Sequence, residues 1–110
     1  MGISTHILDT SRGKPAEGVA VTLFAQDGAG WRELARGQTN SDGRVKPFLD
    51  TIPGAGVYRI EFAVASYFQE LGVESFYPHV AIDFHVKVPT EHFHVPLLLN
   101  PFGFSTYRGS

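Results

Sequence analysis

Alternating apolar and polar positions recur along the chain and predict β-strands. From Val80 to Val88 every even-numbered residue is apolar, whereas Asp83, His85 and Lys87 fall between them. The stretch from Val57 to Val64 alternates in the same way. Because successive side chains of a strand point to opposite faces, each stretch is expected to bury one face and expose the other.

Turn-forming residues divide the rest of the chain at intervals of about eight to twelve residues, the spacing of an all-β sandwich or barrel. Clusters of Gly, Pro, Asn and Asp mark these turns, as in Asn40-Ser41-Asp42-Gly43. Runs rich in β-branched and aromatic residues lie between the turns. Further strands are therefore predicted at residues 3–8, 19–25 and 92–99.

One segment has the period of a helix. Val64, Tyr67, Phe68 and Leu71 are spaced as i, i+3, i+4 and i+7, and Gly72 follows them. Glycine is the preferred residue just after a helix end. The pattern predicts one short helix that ends at Gly72.

The strand near the C-terminus departs from alternation. Both the odd- and the even-numbered residues are apolar from Val95 to Leu99, which predicts that both faces of this strand are buried. Pro96 lies within this run and predicts an edge strand, where a missing N–H is tolerated. An isolated sandwich covers only one face, so we expect a second subunit on the other and a homo-oligomer.

Composition narrows the class of protein. A length of 110 residues predicts a single domain, residues 1–110, and apolar residues at 43% predict a folded one. The formal net charge of −2 supplies no field that would attract nucleic acid or an anionic membrane. No cysteine is present, which excludes disulfides and thiolate chemistry. Without a signal-peptide pattern at the N-terminus, the expected location is cytoplasmic.

Histidines are the residues with the most chemical potential. His92 and His94 are two apart on a predicted strand, so both project from one face, where they could hold a metal or share proton transfer. A third metal ligand, such as His6 or Glu91, is not specified by the sequence. Because an imidazole titrates near neutrality, proton transfer is the favoured use, and we predict no metal site and no cofactor.

Two other side chains are candidates. Arg44 directly follows the turn at 40–43, where the backbone can aim its guanidinium. His6 lies beside Ile7 and Leu8, and partial desolvation would favour its neutral, basic form. The sequence has no Gly-x-Ser-x-Gly elbow, Walker loop or dinucleotide-binding glycine motif, so serine-hydrolase and nucleotide-cofactor functions have no support.

These residues resemble a known family. The segments His6-Ile7-Leu8-Asp9-Thr10 and Asn40-Ser41-Asp42-Gly43-Arg44 are similar to markers of transthyretin-type domains. The segment from His92 to Leu99 and the ending Tyr107-Arg108-Gly109-Ser110 resemble the branch of transthyretin-like 5-hydroxyisourate hydrolases.

The resemblance implies a transthyretin-like sandwich of two four-stranded antiparallel sheets with one short α-helix, assembled as a homotetramer, a dimer of dimers. It implies hydrolysis of 5-hydroxyisourate to 2-oxo-4-hydroxy-4-carboxy-5-ureidoimidazoline in urate degradation, at a site between subunits. The implied catalytic residues are His6, Arg44, His94 and Ser110.

The same resemblance implies supporting contacts to substrate from His92, Tyr107 and Arg108. The chain's last residue, Ser110, would contribute a free carboxylate that orients an imidazole or binds a ureide N–H. The resemblance leaves open which of His6 and His94 is the general base. The alternative function is a transthyretin-like carrier that binds an aromatic small molecule in a central channel.

Overall fold

Two four-stranded sheets account for all the strands among the described residues. The structure is a computed structural model that describes residues 2–46 and 48–110. One sheet has the order β2-β1-β7-β8 and the other β4-β3-β5-β6. The elements are β1 Ile3–Asp9, β2 Lys14–Pro15, β3 Ala20–Asp27, β4 Gly30–Gln38, β5 Gly56–Phe62, α1 Val64–Glu70, β6 Val80–Val86, β7 Phe93–Asn100 and β8 Gly103–Thr106.

The core lies between the two sheets and follows the alternation of the strands. Along β1 the odd-numbered residues are buried and the even-numbered ones half-buried. Along β6 Asp83 and His85 are exposed, as the sequence predicts. The side chains with under 2% exposure include Ile3, Ile7, Leu23, Ile60, Phe62, Leu97 and Leu99. Removal of these apolar surfaces from water is the main stabilising contribution to the sandwich.

The prediction of two antiparallel sheets is wrong at one pair of strands. β1 and β7 run parallel, with Ile3 opposite Phe93 and Asp9 opposite Leu99, so the sheet β2-β1-β7-β8 is mixed. Alternation reports which face of a strand is buried and carries no information about the direction of its neighbour. A parallel pair also needs a long connection, and here most of the chain separates the two strands.

The prediction that Pro96 marks an edge strand is also wrong, because β7 lies between β1 and β8. The pairing with β8 ends at Leu97 opposite Thr106, one residue short of Pro96. The Pro96 carbonyl instead accepts a hydrogen bond from the Thr106 hydroxyl at 2.8 Å. Proline is tolerated here because the ladder with β8 has no backbone pair at this position.

The predicted helix is confirmed. α1 buries Val64, Tyr67 and Phe68 against the core. Gly72 has φ of +69°, its N–H donates to the Gln69 carbonyl at 3.0 Å, and the Val73 N–H donates to the Phe68 carbonyl at 2.9 Å. These two bonds form the Schellman motif that a glycine after the last turn allows.

A buried carboxylate fastens the end of β1 to the helix. Asp9 is fully buried, and its side chain accepts hydrogen bonds from the Ser11 hydroxyl at 2.6 Å and the Tyr67 hydroxyl at 2.7 Å. Burial acts to raise the pKa of Asp9, but the hydrogen bonds from Ser11, Tyr67 and Arg12 together lower it. The charged form of Asp9 is therefore the stable one at neutral pH.

No helix among the described residues has the length and apolar character needed to cross a membrane.

Candidate active site

The outer face of the sheet β2-β1-β7-β8 brings the predicted histidines together. The core takes the odd-numbered side chains of β1, which leaves Ser4 and His6 on the outer face. The parallel register places Ser4 opposite His94 and His6 opposite Pro96. Residues of β1 and β7 that are about 90 positions apart in the chain thus become neighbours.

Ser4 joins the two histidines of the C-terminal segment. Its Oγ lies 2.8 Å from Nε2 of His92 and 2.8 Å from Nδ1 of His94. The Gly2 N–H donates to Nδ1 of His92 at 3.2 Å. The prediction that His92 and His94 share a face is confirmed, although His92 precedes the first residue of β7.

Arg44 reaches the same face through the turn that precedes it. The Asn40 side-chain carbonyl accepts from the N–H of Asp42 at 2.9 Å and from that of Arg44 at 3.1 Å, which is an Asx-type turn. The Gly43 carbonyl accepts from the Ile7 N–H at 2.9 Å. His6 and Arg44 consequently pair as an isolated antiparallel bridge.

Two glycines allow the backbone to lie against the histidine rings. A Cβ on Gly43 would come 3.3 Å from Cδ2 of His6 and 2.5 Å from the Ile7 carbonyl oxygen, and Gly43 has φ of +75°. A Cβ on Gly109 would come 2.5 Å from Cδ2 of His94. Only glycine permits these approaches without displacement of a ring or of the backbone.

The C-terminal segment is attached to His94 through the main chain. The Gly109 N–H donates to the His94 carbonyl at 2.7 Å, and the two residues pair as an isolated antiparallel bridge. Ser110 follows directly and is exposed. The C-terminal segment therefore passes next to the histidine cluster, which consists of His6, His92 and His94.

Tyr107 and Arg108 line a different surface, a cleft of about 560 Å³ at the open edge between β6 and β8. Tyr107 is 58% exposed. Arg108 pairs with Glu91 at 3.1 Å, donates to the His92 carbonyl at 3.2 Å and lies over the Phe93 ring at 4.2 Å. Arg108 thus adjoins the histidine cluster through the backbone of His92, while its guanidinium is engaged at the cleft.

Burial and neighbouring charges lower the pKa values of the three histidines in the cluster. Burial first, and then the positive charge of Arg44, lower the pKa of His6, while a hydrogen bond with the Asp42 backbone acts in the opposite direction. The pKa of His94 is lowered by burial first and then by Arg44, His6 and His92. Burial is also the larger cause of the lowered pKa of His92. The neutral forms of these imidazoles therefore predominate at pH 7, and the positive charge of Arg44 acts on His6 and His94.

Neutral imidazoles beside a cation can carry out hydrolytic proton transfer. A neutral ring accepts a proton from water, and a guanidinium stabilises negative charge that develops on a carbonyl oxygen. Among residues 2–46 and 48–110 no group of three or more His, Cys, Asp or Glu is arranged to hold a metal ion.

Sequence reasoning missed Ser4 and named Asn40, Gly43 and Gly109 only as parts of a turn or of a resemblance, without the contacts by which they support the cluster. Asn40 carried a usable signal, because an Asn two residues before Asp-Gly favours an Asx turn. Ser4 carried none, since its partners lie about 90 residues away and become neighbours only through the parallel pairing.

The fold and the site define a transthyretin-type sandwich with a polar cluster on one outer sheet face. The chain belongs to the HIUase/Transthyretin family, which it matches over residues 3–109. The family that its sequence resembles is thereby confirmed.

Individual relatives include proteins named 5-hydroxyisourate hydrolase and a protein named transthyretin. The chain is 44% identical to a 5-hydroxyisourate hydrolase of Salmonella dublin over 98% of this chain and 80% of the relative. The structure of Klebsiella pneumoniae 5-hydroxyisourate hydrolase is 41% identical, covers all of both chains and has a TM-score of 0.87. Sea bream transthyretin in complex with thyroxine is 30% identical, has a TM-score of 0.91 and covers 97% of this chain and 93% of its own. The predicted transthyretin-like fold is confirmed by these neighbours.

Proposed function

We propose that this chain is a hydrolase that opens 5-hydroxyisourate to 2-oxo-4-hydroxy-4-carboxy-5-ureidoimidazoline as a step of urate degradation. Relatives that carry the name 5-hydroxyisourate hydrolase, at 41–44% identity over nearly the full chain, support the substrate. The observation that carries the proposal for this chain is the meeting of His6, Arg44 and His94 on one outer sheet face, where Arg44 acts on both imidazoles.

The reaction needs a base and a site for negative charge. A neutral imidazole of His6 or His94 takes a proton from water as the water oxygen bonds to the ring carbonyl carbon. Negative charge builds on the carbonyl oxygen, where the Arg44 guanidinium stabilises it. The C–N bond then breaks, and the nitrogen receives the proton held by the imidazolium. The carbonyl carbon becomes that of a carboxylic acid, which releases its proton to solvent as a carboxylate. No cofactor takes part in this scheme.

The remaining predicted site residues have supporting roles in the proposal. His92 is linked to His94 through Ser4, so it acts behind the imidazole that faces the substrate. The bond between Gly109 and His94 keeps Ser110 close enough to contribute polar groups to substrate binding. Tyr107 and Arg108 hold this C-terminal segment in place from the side of the cleft.

A homotetramer, built as a dimer of dimers, completes the proposed site. The outer face that carries the histidines also carries Leu8 and Leu98, which are half-buried in the single chain. A second subunit over this face would cover these leucines and exclude water from the histidine cluster. A site that excludes water strengthens the interaction between Arg44 and developing charge. A cytoplasmic location is part of the same proposal.

A carrier function is the alternative, because the sea bream structure with thyroxine has the same fold. Fold alone does not decide between the two functions. The polar cluster favours the enzyme, since burying three imidazoles and a guanidinium against an apolar ligand would cost desolvation energy without hydrogen bonds in return.

Direct assay tests the proposal. 5-Hydroxyisourate is generated with urate oxidase, and its ultraviolet decay is followed with and without the chain. We expect the chain to accelerate the decay and His6→Ala, His94→Ala and a deletion of Gly109 and Ser110 to abolish the acceleration. The matched control is His79→Ala, because His79 is exposed just before β6 of the other sheet. Decay at the spontaneous rate, together with tight binding of an aromatic ligand, would favour the carrier.

A further inference from the structure

The hydroxyl of Ser4 is placed between two imidazole nitrogens. Its Oγ is 2.8 Å from Nε2 of His92 and 2.8 Å from Nδ1 of His94. A serine hydroxyl has a single proton to donate, so it donates to one of these nitrogens at most. The direction in which Ser4 donates therefore determines where the protons of both rings lie.

The backbone of Gly2 settles this direction. The Gly2 N–H donates to Nδ1 of His92 at 3.2 Å, so this nitrogen is unprotonated. Gly2 is itself held in place, because its carbonyl accepts from the Phe93 N–H at 2.8 Å. A neutral His92 consequently carries its proton on Nε2 and donates it to Ser4. The Ser4 hydroxyl is then free to donate to Nδ1 of His94.

If Nδ1 of His94 were the donor to Ser4, the Ser4 hydroxyl proton would lose its acceptor in the cluster. Ser4 could accept from both rings only if its own proton turned away from both nitrogens. Ser4 is half-buried, and a hydroxyl proton without an acceptor is costly in such a position. In the favoured arrangement the Gly2 N–H donates to His92, the Nε2–H of His92 donates to Ser4, and the Ser4 hydroxyl donates to His94.

We propose that Ser4 is a positioning residue that holds the proton of His94 on Nε2, so that His94 presents a hydrogen-bond donor to the substrate and His6 is the base. This inference rests on the proposed function and assigns the roles that the sequence leaves open. With its lone pair on Nδ1 occupied by Ser4, neutral His94 has no lone pair left for water.

The surroundings of His6 agree with the opposite role. Although burial lowers the pKa of His6 overall, the hydrogen bond between its ring and the Asp42 backbone acts in the raising direction, which is the effect of a ring N–H that donates to a carbonyl. The other ring nitrogen of neutral His6 then carries a lone pair. Gly109 meanwhile lies against Cδ2 of His94, the ring carbon next to Nε2, and so limits the positions that this ring can take.

The first test is spectroscopic and needs no substrate. Nitrogen-15 NMR of the histidine-labelled full chain at neutral pH distinguishes protonated from unprotonated ring nitrogens, and His94→Gln identifies the His94 signals by their loss. We expect an unprotonated Nδ1 and a protonated Nε2 in His94. A proton on Nδ1 of His94 would overturn the proposal, whatever the chain's activity.

The second test uses a pair of substitutions. Ser4→Ala removes the hydroxyl, so we expect the His94 proton to distribute over both nitrogens and kcat to fall about tenfold, the effect of one hydrogen bond, with KM nearly unchanged. Ser4→Thr keeps a hydroxyl and should restore both the tautomer and kcat. Ser66→Ala, on the exposed side of α1, is the control for loss of a serine.

The two proposals fail separately. Wild-type tautomer and kcat in a folded Ser4→Ala variant would contradict the positioning role of Ser4 while the hydrolase stands. The expected tautomer in a chain that does not accelerate hydrolysis would contradict the proposed function and leave the tautomer assignment intact. If Ser4→Ala does not fold, the measurement on the wild-type chain decides the tautomer.

Discussion

The single arginine of the cluster acts on two histidines at once. Its charge lowers the pKa of His6 and of His94, in both cases after burial as the larger cause. A histidine with a lowered pKa keeps its neutral form down to a lower pH than a free imidazole with a pKa of about 6.5. In the proposed hydrolysis, Arg44 thus has two roles, one in stabilising transition-state charge and one in setting the protonation state of the base.

The pH dependence of the rate tests both effects. We expect the acid limb of kcat/KM, which falls as the base becomes protonated, to lie below pH 6.5 in the wild-type chain. Arg44→Met should move this limb upward, because the cation that disfavours imidazolium is removed. It should also reduce kcat by about 10²–10³, the cost of losing one oxyanion donor.

Arg44→Lys is the matched variant for the pH profile. It keeps the positive charge, so the acid limb should stay near the wild-type position while kcat recovers only in part, because an ammonium lacks the planar fork of a guanidinium. An acid limb that stays in place in Arg44→Met would show that Arg44 does not control the ionisation.

At the scale of elements, the site depends on how one turn docks on one strand. The turn at 40–43 holds its shape through Asn40 and meets β1 through the bond from Ile7 to Gly43. This contact sets the position of Arg44 relative to His6. The sequence indicated the turn, but its docking on β1 depends on contacts between segments about 35 residues apart.

Substitution of Gly43 tests whether activity depends on the docking of the turn at 40–43 on β1. Gly43→Ala places a Cβ at φ of +75° and 2.5 Å from the Ile7 carbonyl oxygen, so the turn must move away from β1. We expect a large loss of kcat/KM together with a stability loss of at least about 1–2 kcal/mol from the left-handed conformation. Steady-state kinetics and thermal unfolding measure the two effects.

Gly28→Ala is the matched control, because Gly28 has φ of +61° and no atom within 4 Å of an added Cβ. It should lose about 1–2 kcal/mol of stability and keep its activity. Equal activity in the two variants would mean that Arg44 does not need the docked turn.

At the scale of the whole molecule, one fold serves two kinds of relative. Sea bream transthyretin in complex with thyroxine and a 5-hydroxyisourate hydrolase of Klebsiella pneumoniae both superpose on this chain, with TM-scores of 0.91 and 0.87. The scaffold is therefore shared, and the fold alone does not determine the function.

The proposed tetramer can be tested on that outer face. Leu98→Glu places a charge on a half-buried position of β7. Burial of an unpaired carboxylate at a subunit interface is unfavourable, so we expect smaller assemblies and reduced hydrolysis. Light scattering coupled to size-exclusion chromatography measures the mass of the assembly.

Gln26→Glu serves as the control for this experiment, since Gln26 is a polar residue exposed on β3 of the other sheet. It should leave the mass unchanged. A wild-type chain that elutes as a monomer, or a Leu98→Glu variant with the wild-type mass, would contradict an interface at this face.

Local patterns in the chain already specified much of this protein. The alternation along β5 and β6, the helical spacing of α1 and the glycine at its end depend on neighbours a few residues away, so they could be deduced without coordinates. His92, His94 and Arg44 could be selected for their chemistry and for their places beside a strand or a turn. The transthyretin-like character followed from short segments that resemble known markers.

Long-range pairing was decided only on folding. The parallel register of β1 and β7 places Ser4 between two imidazoles and puts Pro96 inside a sheet rather than at its edge. The docking of the turn at 40–43 on β1 places His6 beside Arg44. A period of two marks the buried face of a strand but is the same for every partner and both directions. Which strands pair depends on the packing free energy of the whole sandwich, and so does the proton arrangement of the histidine cluster.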